Sequence, residues 1–292
     1  LILFTGILLT VRLRGLQVRH LGKALHYVFH NEDDGEGEVT SFGALCTALS
    51  ATIGTGNIVG VATAIGILAG GPGALFWMWI AALFGMATKY SEGLLAVKYR
   101  KIDEDGHVLG GPFYYIESGM GHKWRWLAKI FAFFGACVGL MGIGTFTQVN
   151  GIASAVQAFF DPDKVNTVSI LGNDYSIAIV ITAFILAILV GLVVIGGIQR
   201  ISKVSQVIVP FMAVLYIVVC LVLIIVNINK VPAAFATIVK CAFKPMSFAG
   251  GVTASLAIAM QKGVARGIFS NEAGLGSAPI AAAAAQTKEP VR

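Results

Sequence analysis

The sequence predicts an all-α polytopic membrane protein, and its composition, its apolar segments and its charge placement all support that class. Hydrophobic residues make up 57% of the 292 residues and charged residues 12%, which is far more apolar than a soluble domain of this length. About seven segments have the length and apolarity that a spanning helix needs. Lysine and arginine cluster in alternate loops, which places those loops in the cytoplasm. We therefore expect a multi-pass protein of the cell membrane, surrounded by the lipid bilayer.

The apolar segments divide the chain into three predicted parts. Residues 1–40 form an extra N-terminal helix and a cytoplasmic loop, residues 41–230 form a first repeat of five helices, and residues 231–292 begin a second, inverted repeat. The predicted spans of the first repeat cover residues 42–69, 74–97, 127–160, 176–195 and 204–228. Because the sequence starts within one apolar segment and stops after an alanine-rich one, we expect it to be the N-terminal part of a longer fold.

Residues 50–60 carry the clearest functional signal, because glycines interrupt an apolar segment near its centre. Gly54 and Gly56 each weaken a helix by about 1 kcal/mol relative to alanine. Lipid cannot satisfy an unwound backbone, so such a break is tolerated only where it is packed in protein or lines a polar cavity. The sequence therefore predicts a binding site, whose candidate substrate-binding residues are Thr52, Gly54, Thr55, Gly56 and Asn57.

A helix break offers binding groups of both signs. The N–H groups at the start of one half-helix suit a carboxylate, and the carbonyl oxygens at the end of the other suit a hard cation such as Na⁺. Thr52 and Asn57 can add side-chain oxygens to a cation site. Neither ligand needs a buried charged residue, and the small lining residues favour a small substrate. We expect Na⁺ as the coupling ion, with no cofactor and no other metal.

Further polar residues lie within predicted spans. Gln148, in the span 127–160, either faces the substrate or makes an interhelical hydrogen bond worth about 0.6 kcal/mol on average. Lys89 and Glu92 stand three residues apart near the inner end of the span 74–97. That spacing places them on one helix face, where we expect them to pair with each other.

A second glycine cluster, near residue 250, predicts a second break. Phe248, Gly250, Gly251 and Thr253 are the candidate substrate-binding residues there. Secondary transporters built from inverted repeats place a broken helix at the start of each half and bind the substrate between the two breaks. Five predicted spans lie from the first break to just before the second, as one complete repeat requires. The pattern indicates a secondary transporter.

Three motifs make the sequence recognisable: G-T-G-N-I-V-G-V-A-T-A-I at 54–65, G-G-P-G-A-L-F-W-M-W at 70–79 and F-S-N-E-A-G-L-G-S-A-P at 269–279. In this order they closely resemble the alanine or glycine:cation symporter family, from about residue 40 to the end. The resemblance implies a leucine-transporter-like fold, with five-plus-five inverted repeats preceded by an extra helix. It also implies sodium-coupled, sometimes proton-coupled, uptake of alanine or glycine.

The resemblance assigns roles by position. Asn57 would lie beside the sodium ion and the substrate carboxylate, Gln148 would face the substrate, and residues 248–253 would be the unwound part of the second broken helix. The motif at 270–279 would belong to a cytoplasmic gate. We assign Arg266, Asn271 and Glu272 to that gate, although Arg266 could instead be an anchor that reaches the membrane surface.

The leading hypothesis is a sodium-coupled symporter of alanine or glycine that works by alternating access. The alternatives are a proton-coupled amino-acid symporter and a passive channel whose glycine breaks form a filter. An enzyme is disfavoured, because no predicted span carries a Ser/His/Asp set or paired central carboxylates and all five histidines lie in loops. The net charge of +6 lies mostly in short loops, so we interpret it as a topology signal and not as a nucleic-acid surface.

Overall fold

The computed structural model describes residues 1–30, 35–66, 70–142, 144–170, 172–243 and 256–291. Within these residues the fold is mainly helical, as predicted. The helices are α1 (Ile2–Arg12), α2 (Leu16–Arg19), α3 (Leu21–Phe29), α4 (Ser41–Thr52), α5 (Thr55–Ile65), α6 (Gly73–Lys98), α7 (Pro112–Met120), α8 (Arg125–Leu140), α9 (Thr145–Phe160), α10 (Ile177–Val194), α11 (Gly197–Val226), α12 (Val231–Phe243), α13 (Leu256–Asn271) and α14 (Ala278–Ala283).

Two short antiparallel hairpins depart from a strictly all-α class. One pairs β1 (Lys101–Ile102) with β2 (Val108–Leu109), and the other pairs β3 (Thr167–Ile170) with β4 (Asn173–Ser176). Both lie in loops between helices, where strand pairing satisfies backbone groups that no helix satisfies.

Four helical segments in the described part of the chain are long and apolar enough to cross a membrane, and they cover Ser41–Ile65, His122–Phe160, Ile177–Val194 and Gly197–Val226. Helix α1 is apolar but shorter, and α6 carries charged residues in its second half. The segment His122–Phe160 contains two helices, α8 and α9, because the chain turns at Gly142 and Gly144, whose φ angles are +61° and +93°. The predicted number of seven spans and the division at residues 40 and 230 stay predictions.

The first predicted break is confirmed. Helix α4 ends at Thr52 and α5 begins at Thr55, with Ile53 and Gly54 in extended conformation between them. At its other end α4 begins with a cap, because the Thr40 hydroxyl accepts a hydrogen bond from the Gly43 N–H at 3.0 Å. The glycines within the apolar segment were sufficient to predict this break from the sequence.

Helix α13 packs along α6 more extensively than any other pair of described helices. Glycines allow the close approach: Gly263 lies against Ala74, Gly267 lies against Ala81, and Gly85 lies against Asn271. Since the residue numbers rise together along both helices, α6 and α13 run parallel.

The same helix α13 runs antiparallel to α5. Gly60 of α5 lies against Arg266, and Gly56 lies against the ring of Phe269. The C-terminal end of α13 therefore reaches the break between α4 and α5.

After α13 the backbone leaves the helix and resumes it only at α14. The intervening residues 272–277 include three with left-handed φ angles, +53° at Glu272, +82° at Gly274 and +81° at Gly276. A second helix break thus lies beside the first. The break predicted at Phe248, Gly250, Gly251 and Thr253 lies outside the described residues.

The far end of α14 meets the segment that leads into α4. Single β-bridges join Glu36 to Thr287 and Val39 to Ala285. The Arg100 guanidinium, just after α6, donates hydrogen bonds to the carbonyls of Glu36, Ala283 and Ala285 at 2.5, 2.9 and 2.7 Å. The inner ends of both broken helices are therefore tied together at the side that the positive charges place in the cytoplasm.

Candidate functional site

The first break is closed by a side chain from α9. Gln148 Oε1 accepts two hydrogen bonds from Thr55, one from the backbone N–H at 2.9 Å and one from the hydroxyl at 2.8 Å. Thr55 is the first residue of α5, so its N–H has no partner within the helix. Gln148 therefore stands where the helix N-terminus would otherwise present its N–H to a ligand.

Glycines make this approach possible. A Cβ atom at Gly54 would collide with the amide group of Gln148, and one at Gly151 would lie 2.7 Å from Thr55 Cγ2. Residues 54 and 151 are thus required to be small because α9 passes directly over the break. The sequence predicted Gly54 at the site, and the role of Gly151 was missed.

Asn57 faces α13. Its Oδ1 accepts a hydrogen bond from the Ser270 hydroxyl at 3.0 Å, and both residues are partly buried. Next to this pair, Gly56 leaves room for the ring of Phe269, which a Cβ atom would approach to 3.1 Å. The structure therefore brings Asn57 and Gly56 to the end of α13, and Ser270 is a site residue that the sequence analysis did not single out.

Thr52 occupies the last position of α4. Its hydroxyl donates to the carbonyls of Ala48 and Leu49, both at 3.2 Å. The proton is thus used within the helix, and the oxygen keeps its lone pairs for another partner. This geometry fits the expectation that Thr52 could contribute an oxygen to a cation site.

The expected pairing between Lys89 and Glu92 is wrong. In the described part of the chain the two side chains form no ion pair with each other. Lys89 Nζ instead donates to the Asn271 carbonyl at 3.1 Å, and Glu92 Oε2 accepts from the Gly274 N–H at 3.1 Å. Tertiary partners at the second break have replaced the local pair.

Asn271 is the last residue of α13, and Glu272 is the first residue of the second break. Asn271 Oδ1 accepts from the Ala273 N–H at 2.9 Å, and Glu272 Oε2 accepts from the Ser277 hydroxyl at 3.0 Å. Both contacts hold the turn between α13 and α14. Their assignment to a gate stays a prediction.

Arg266 lies within α13, before the second break. Because α13 runs parallel to α6, Arg266 lies on the same side of the two breaks as the turn at 70–73, which the sequence places outside. Its guanidinium carbon sits 5.6 Å from the ring centre of Phe269, and its side chain covers Gly60. The assignment of Arg266 to a gate stays a prediction.

One signal in the sequence pointed to the second break. Gly274 and Gly276 repeat the G-x-G spacing of Gly54 and Gly56, inside a segment that the sequence analysis assigned to a gate. The spacing alone does not predict that this segment lies beside the first break, because its position depends on the contacts between α13 and α5.

Comparison with known proteins identifies the family of this chain. The family model described as the sodium:alanine symporter family matches residues 1–292. The chain belongs to this family. The family consists of transporters, so the expectation that the protein is not an enzyme is confirmed, as is that of a multi-pass membrane protein.

Several relatives of this sodium:alanine symporter family member are similar over nearly its whole length. It is 57% identical to an uncharacterized transporter of Haemophilus influenzae, over 99% of this chain and 59% of that protein. It is 48% identical to the sodium/alanine symporter AgcS of Methanococcus maripaludis, over 100% of this chain and 61% of that protein. It is 39% identical to the probable sodium/glutamine symporter GlnT of Bacillus subtilis, over 100% of this chain and 56% of that protein. The chain thus spans about three fifths of the length of these relatives.

Proposed function

We propose that the chain provides the sodium- and substrate-binding region of a symporter for small neutral amino acids, alanine or glycine in the first place. The observation that carries the proposal is the meeting of two helix breaks, at residues 53–54 and 272–277. Antiparallel broken helices are the element that inverted-repeat transporters use to bind ions and substrates. The names of AgcS and GlnT, which specify sodium with alanine or glutamine, support the same class.

The substrate carboxylate would bind at the first break. Thr55 presents the N-terminal N–H of α5, where the helix dipole favours negative charge. Gln148 now occupies that N–H through its Oε1, and it can turn its amide to bind the substrate when the carboxylate takes its place. An amide that exchanges one partner for another leaves no polar group unsatisfied, which keeps the cost of ligand exchange low.

The sodium ion would bind beside it, to neutral oxygens. Asn57 Oδ1 uses one lone pair on Ser270 and keeps another, and Thr52 Oγ1 keeps its own. Hard cations prefer such oxygen ligands. Because the substrate carboxylate carries the compensating charge, the ion and the amino acid would stabilise each other in one site.

Alternating access would follow from relative motion at the two breaks. The inner ends of α4 and α14 are joined through Arg100, Glu36 and Ala285. Opening towards the cytoplasm therefore requires these contacts to separate or to move together as one unit, while α5 and α13 stay packed on the other side.

Uptake into proteoliposomes tests the proposal. Labelled alanine should accumulate above its external concentration when the full-length protein is given an inward Na⁺ gradient, and unlabelled glycine should compete. Adding glutamine as a second competitor measures how far the site accepts a longer side chain. Accumulation driven by a pH gradient alone would show that the coupling ion is H⁺ and not Na⁺. Equilibration without accumulation would reject symport in favour of a passive channel.

A further inference from the structure

The two helix breaks differ in the charge of their partners. At the first break the partners are neutral: Gln148 binds Thr55, and Ser270 binds Asn57. At the second break the partners are a lysine and a glutamate of α6. This difference in charge indicates that the two breaks have different roles.

Lys89 acts on the end of α13. Asn271 is the last residue of that helix, and carbonyls in the last turn have no partner within the helix and carry partial negative charge. The Lys89 ammonium group, 3.1 Å from the Asn271 carbonyl, supplies both the missing donor and the positive charge. A transported cation at this carbonyl would have to displace a positive group that is part of the chain.

Glu92 acts on the turn that follows. Gly274 lies between α13 and α14 with a φ angle of +82°, and the Glu92 carboxylate accepts its N–H at 3.1 Å. Hydrogen bonds to charged groups are about twice as strong as neutral ones. Since Lys89 and Glu92 are one helical turn apart, α6 holds the turn at two points.

The packing around these two hydrogen bonds is tight, so a movement of one residue also moves its neighbours. Ala273, between the two held residues, is only 1% exposed, and a Cβ atom at Gly85 would lie 2.9 Å from Asn271 Nδ2 and 3.4 Å from Ala273 Cβ. Ser270, the partner of Asn57, directly precedes Asn271. Any movement of the second break away from α6 therefore moves the group that holds Asn57.

We propose that Lys89 and Glu92 are positioning residues that hold the second helix break against α6, and that neither binds the transported ion or amino acid. The pair keeps Ser270 in reach of Asn57 and so keeps the first break ready to bind. The transport part of this proposal rests on the proposed symport function, whereas the holding contact itself does not.

A cysteine placed at residue 273 tests the contact directly. Ala273→Cys is introduced into the full-length protein after all of its native cysteines, including Cys46, Cys137, Cys220 and Cys241, have been replaced by serine, and its rate of labelling by a maleimide is measured. Lys89→Met and Glu92→Leu should raise this rate by about fivefold or more, because each releases one end of the turn. Lys89→Arg, which keeps a cationic donor, should restore the slow rate. Unchanged labelling in Lys89→Met and Glu92→Leu would overturn the proposal.

Two matched controls remove the same charges elsewhere. Lys98→Met takes a cation from the same helix, where Lys98 lies near the ring of Tyr99, and Glu117→Gln takes an anion from α7, where Glu117 pairs with Arg125. Neither should change labelling at residue 273. If Lys89→Met fails to fold, Glu92→Gln, which keeps an acceptor oxygen but loses the charge, should give an intermediate labelling rate, and a rate equal to that of the parent protein would contradict the proposal.

Transport separates positioning from ligand binding. A loosened break leaves fewer molecules competent to bind, so the apparent KM for alanine should rise about tenfold in Lys89→Met, while the number of Na⁺ ions per alanine, measured from the reversal potential, stays constant. A changed ion number would show that Lys89 or Glu92 belongs to the ion site and would overturn the proposal. If the parent protein shows no sodium-driven accumulation, the symport function fails, and the labelling result still decides whether the pair holds the break.

Discussion

Gln148 and Thr55 close the first helix break through one oxygen, because Gln148 Oε1 accepts both the backbone N–H and the hydroxyl of Thr55, at 2.9 and 2.8 Å. The Gln148 amide thus supplies the hydrogen-bond acceptor that a continuous helix would have supplied to the Thr55 N–H. The contact also joins the first and third predicted spans of the first repeat, since Gln148 lies 93 residues further along the chain than Thr55. The break is therefore a structured element that depends on α9.

Replacing Gln148 should impair transport far more than replacing another amide of α9. Gln148→Ala removes the amide that closes the first break and that would turn to bind the substrate, and a hydrogen bond of this kind contributes about 0.5–1.5 kcal/mol. We expect kcat/KM for alanine uptake to fall by about tenfold or more. Asn150→Ala is the control, because Asn150 is exposed on the same helix, and its effect should be within about twofold. Equal losses in the two variants would remove Gln148 from the site.

The contact between Asn57 and Ser270 should be energetically coupled to sodium binding. Asn57→Ala removes the amide oxygen and should abolish sodium-dependent uptake while the protein still inserts into the membrane. Ser270→Ala removes only the donor, at 3.0 Å, and should weaken the apparent sodium affinity by a factor of about five. The measurement is the sodium dependence of alanine uptake in each single variant.

The double variant supplies the control for that pair. If the two side chains act through one hydrogen bond, adding Ser270→Ala to Asn57→Ala should cause no further loss of binding, as measured by alanine-induced thermal stabilisation in the presence of sodium. Additive losses would mean that Ser270 acts on the site by another route.

The sequence predicted the break between α4 and α5 correctly but did not predict the one after α13, and the difference has a physical cause. Gly54 and Gly56 sit at the centre of a continuous apolar segment, so local helix propensity was enough to locate the break between Thr52 and Thr55. The resemblance assigns the segment around Gly274 and Gly276 to a cytoplasmic gate and predicts no helix break there. Its position beside Asn57 depends on the packing of α13 on α5 and α6, which no local pattern encodes.

The charged residues of α6 also have tertiary partners that the local sequence does not predict. The spacing of Lys89 and Glu92 predicts a local pair, but a pair of neighbouring charges on one helix face is typically worth only about 0.3–0.5 kcal/mol. Unsatisfied backbone groups at a helix break offer each charge a partner of its own, at Asn271 and Gly274. The tertiary contacts are therefore more favourable than the local pair. Such partners can be predicted from a sequence only after the helix break has been located.

Gly263 should be essential for the packing of α13 on α6. A Cβ atom at this position would collide with the Ala74 carbonyl and lie 2.7 Å from Trp77 Cβ. Gly263→Ala gains about 1 kcal/mol of helix propensity, but overpacking costs about 1–3 kcal/mol, and the rigid backbone at Ala74 cannot yield. We therefore expect a net loss of stability, measured as a lower Tm in detergent.

The matched control for that variant is Gly93→Ala, also in a helix of this pair. A Cβ atom at Gly93 would meet nothing within 4 Å, so only the propensity gain of about 1 kcal/mol remains. The Tm should stay the same or rise. A rise in Tm for Gly263→Ala as well would contradict the close approach of the two helices.

Asp161 should make the stability of the loop before α10 depend on pH. This carboxylate accepts hydrogen bonds from the Ser176 hydroxyl at 2.6 Å and from the Val165 N–H at 2.9 Å. The hydrogen bond from Ser176, with those from the backbone, lowers the pKa of Asp161 below its ordinary value. A group whose pKa is lower in the folded state stabilises the protein above its unfolded pKa, which is about 4, and loses that stabilisation as the pH falls through the folded pKa.

Asp161→Asn should therefore lower the Tm at about pH 7 and should make the Tm less sensitive to acid, so that the variant and the parent protein converge as the pH falls below about 4. Thermal unfolding in detergent between about pH 7 and about pH 3 measures both effects. Asp163→Asn, an exposed carboxylate of the same loop, should leave the difference in Tm near zero at every pH. A gap between parent and Asp161→Asn that widens towards acid would give the opposite sign, and would mean that the protonated form of Asp161 is the one that holds Ser176 and β4 in place.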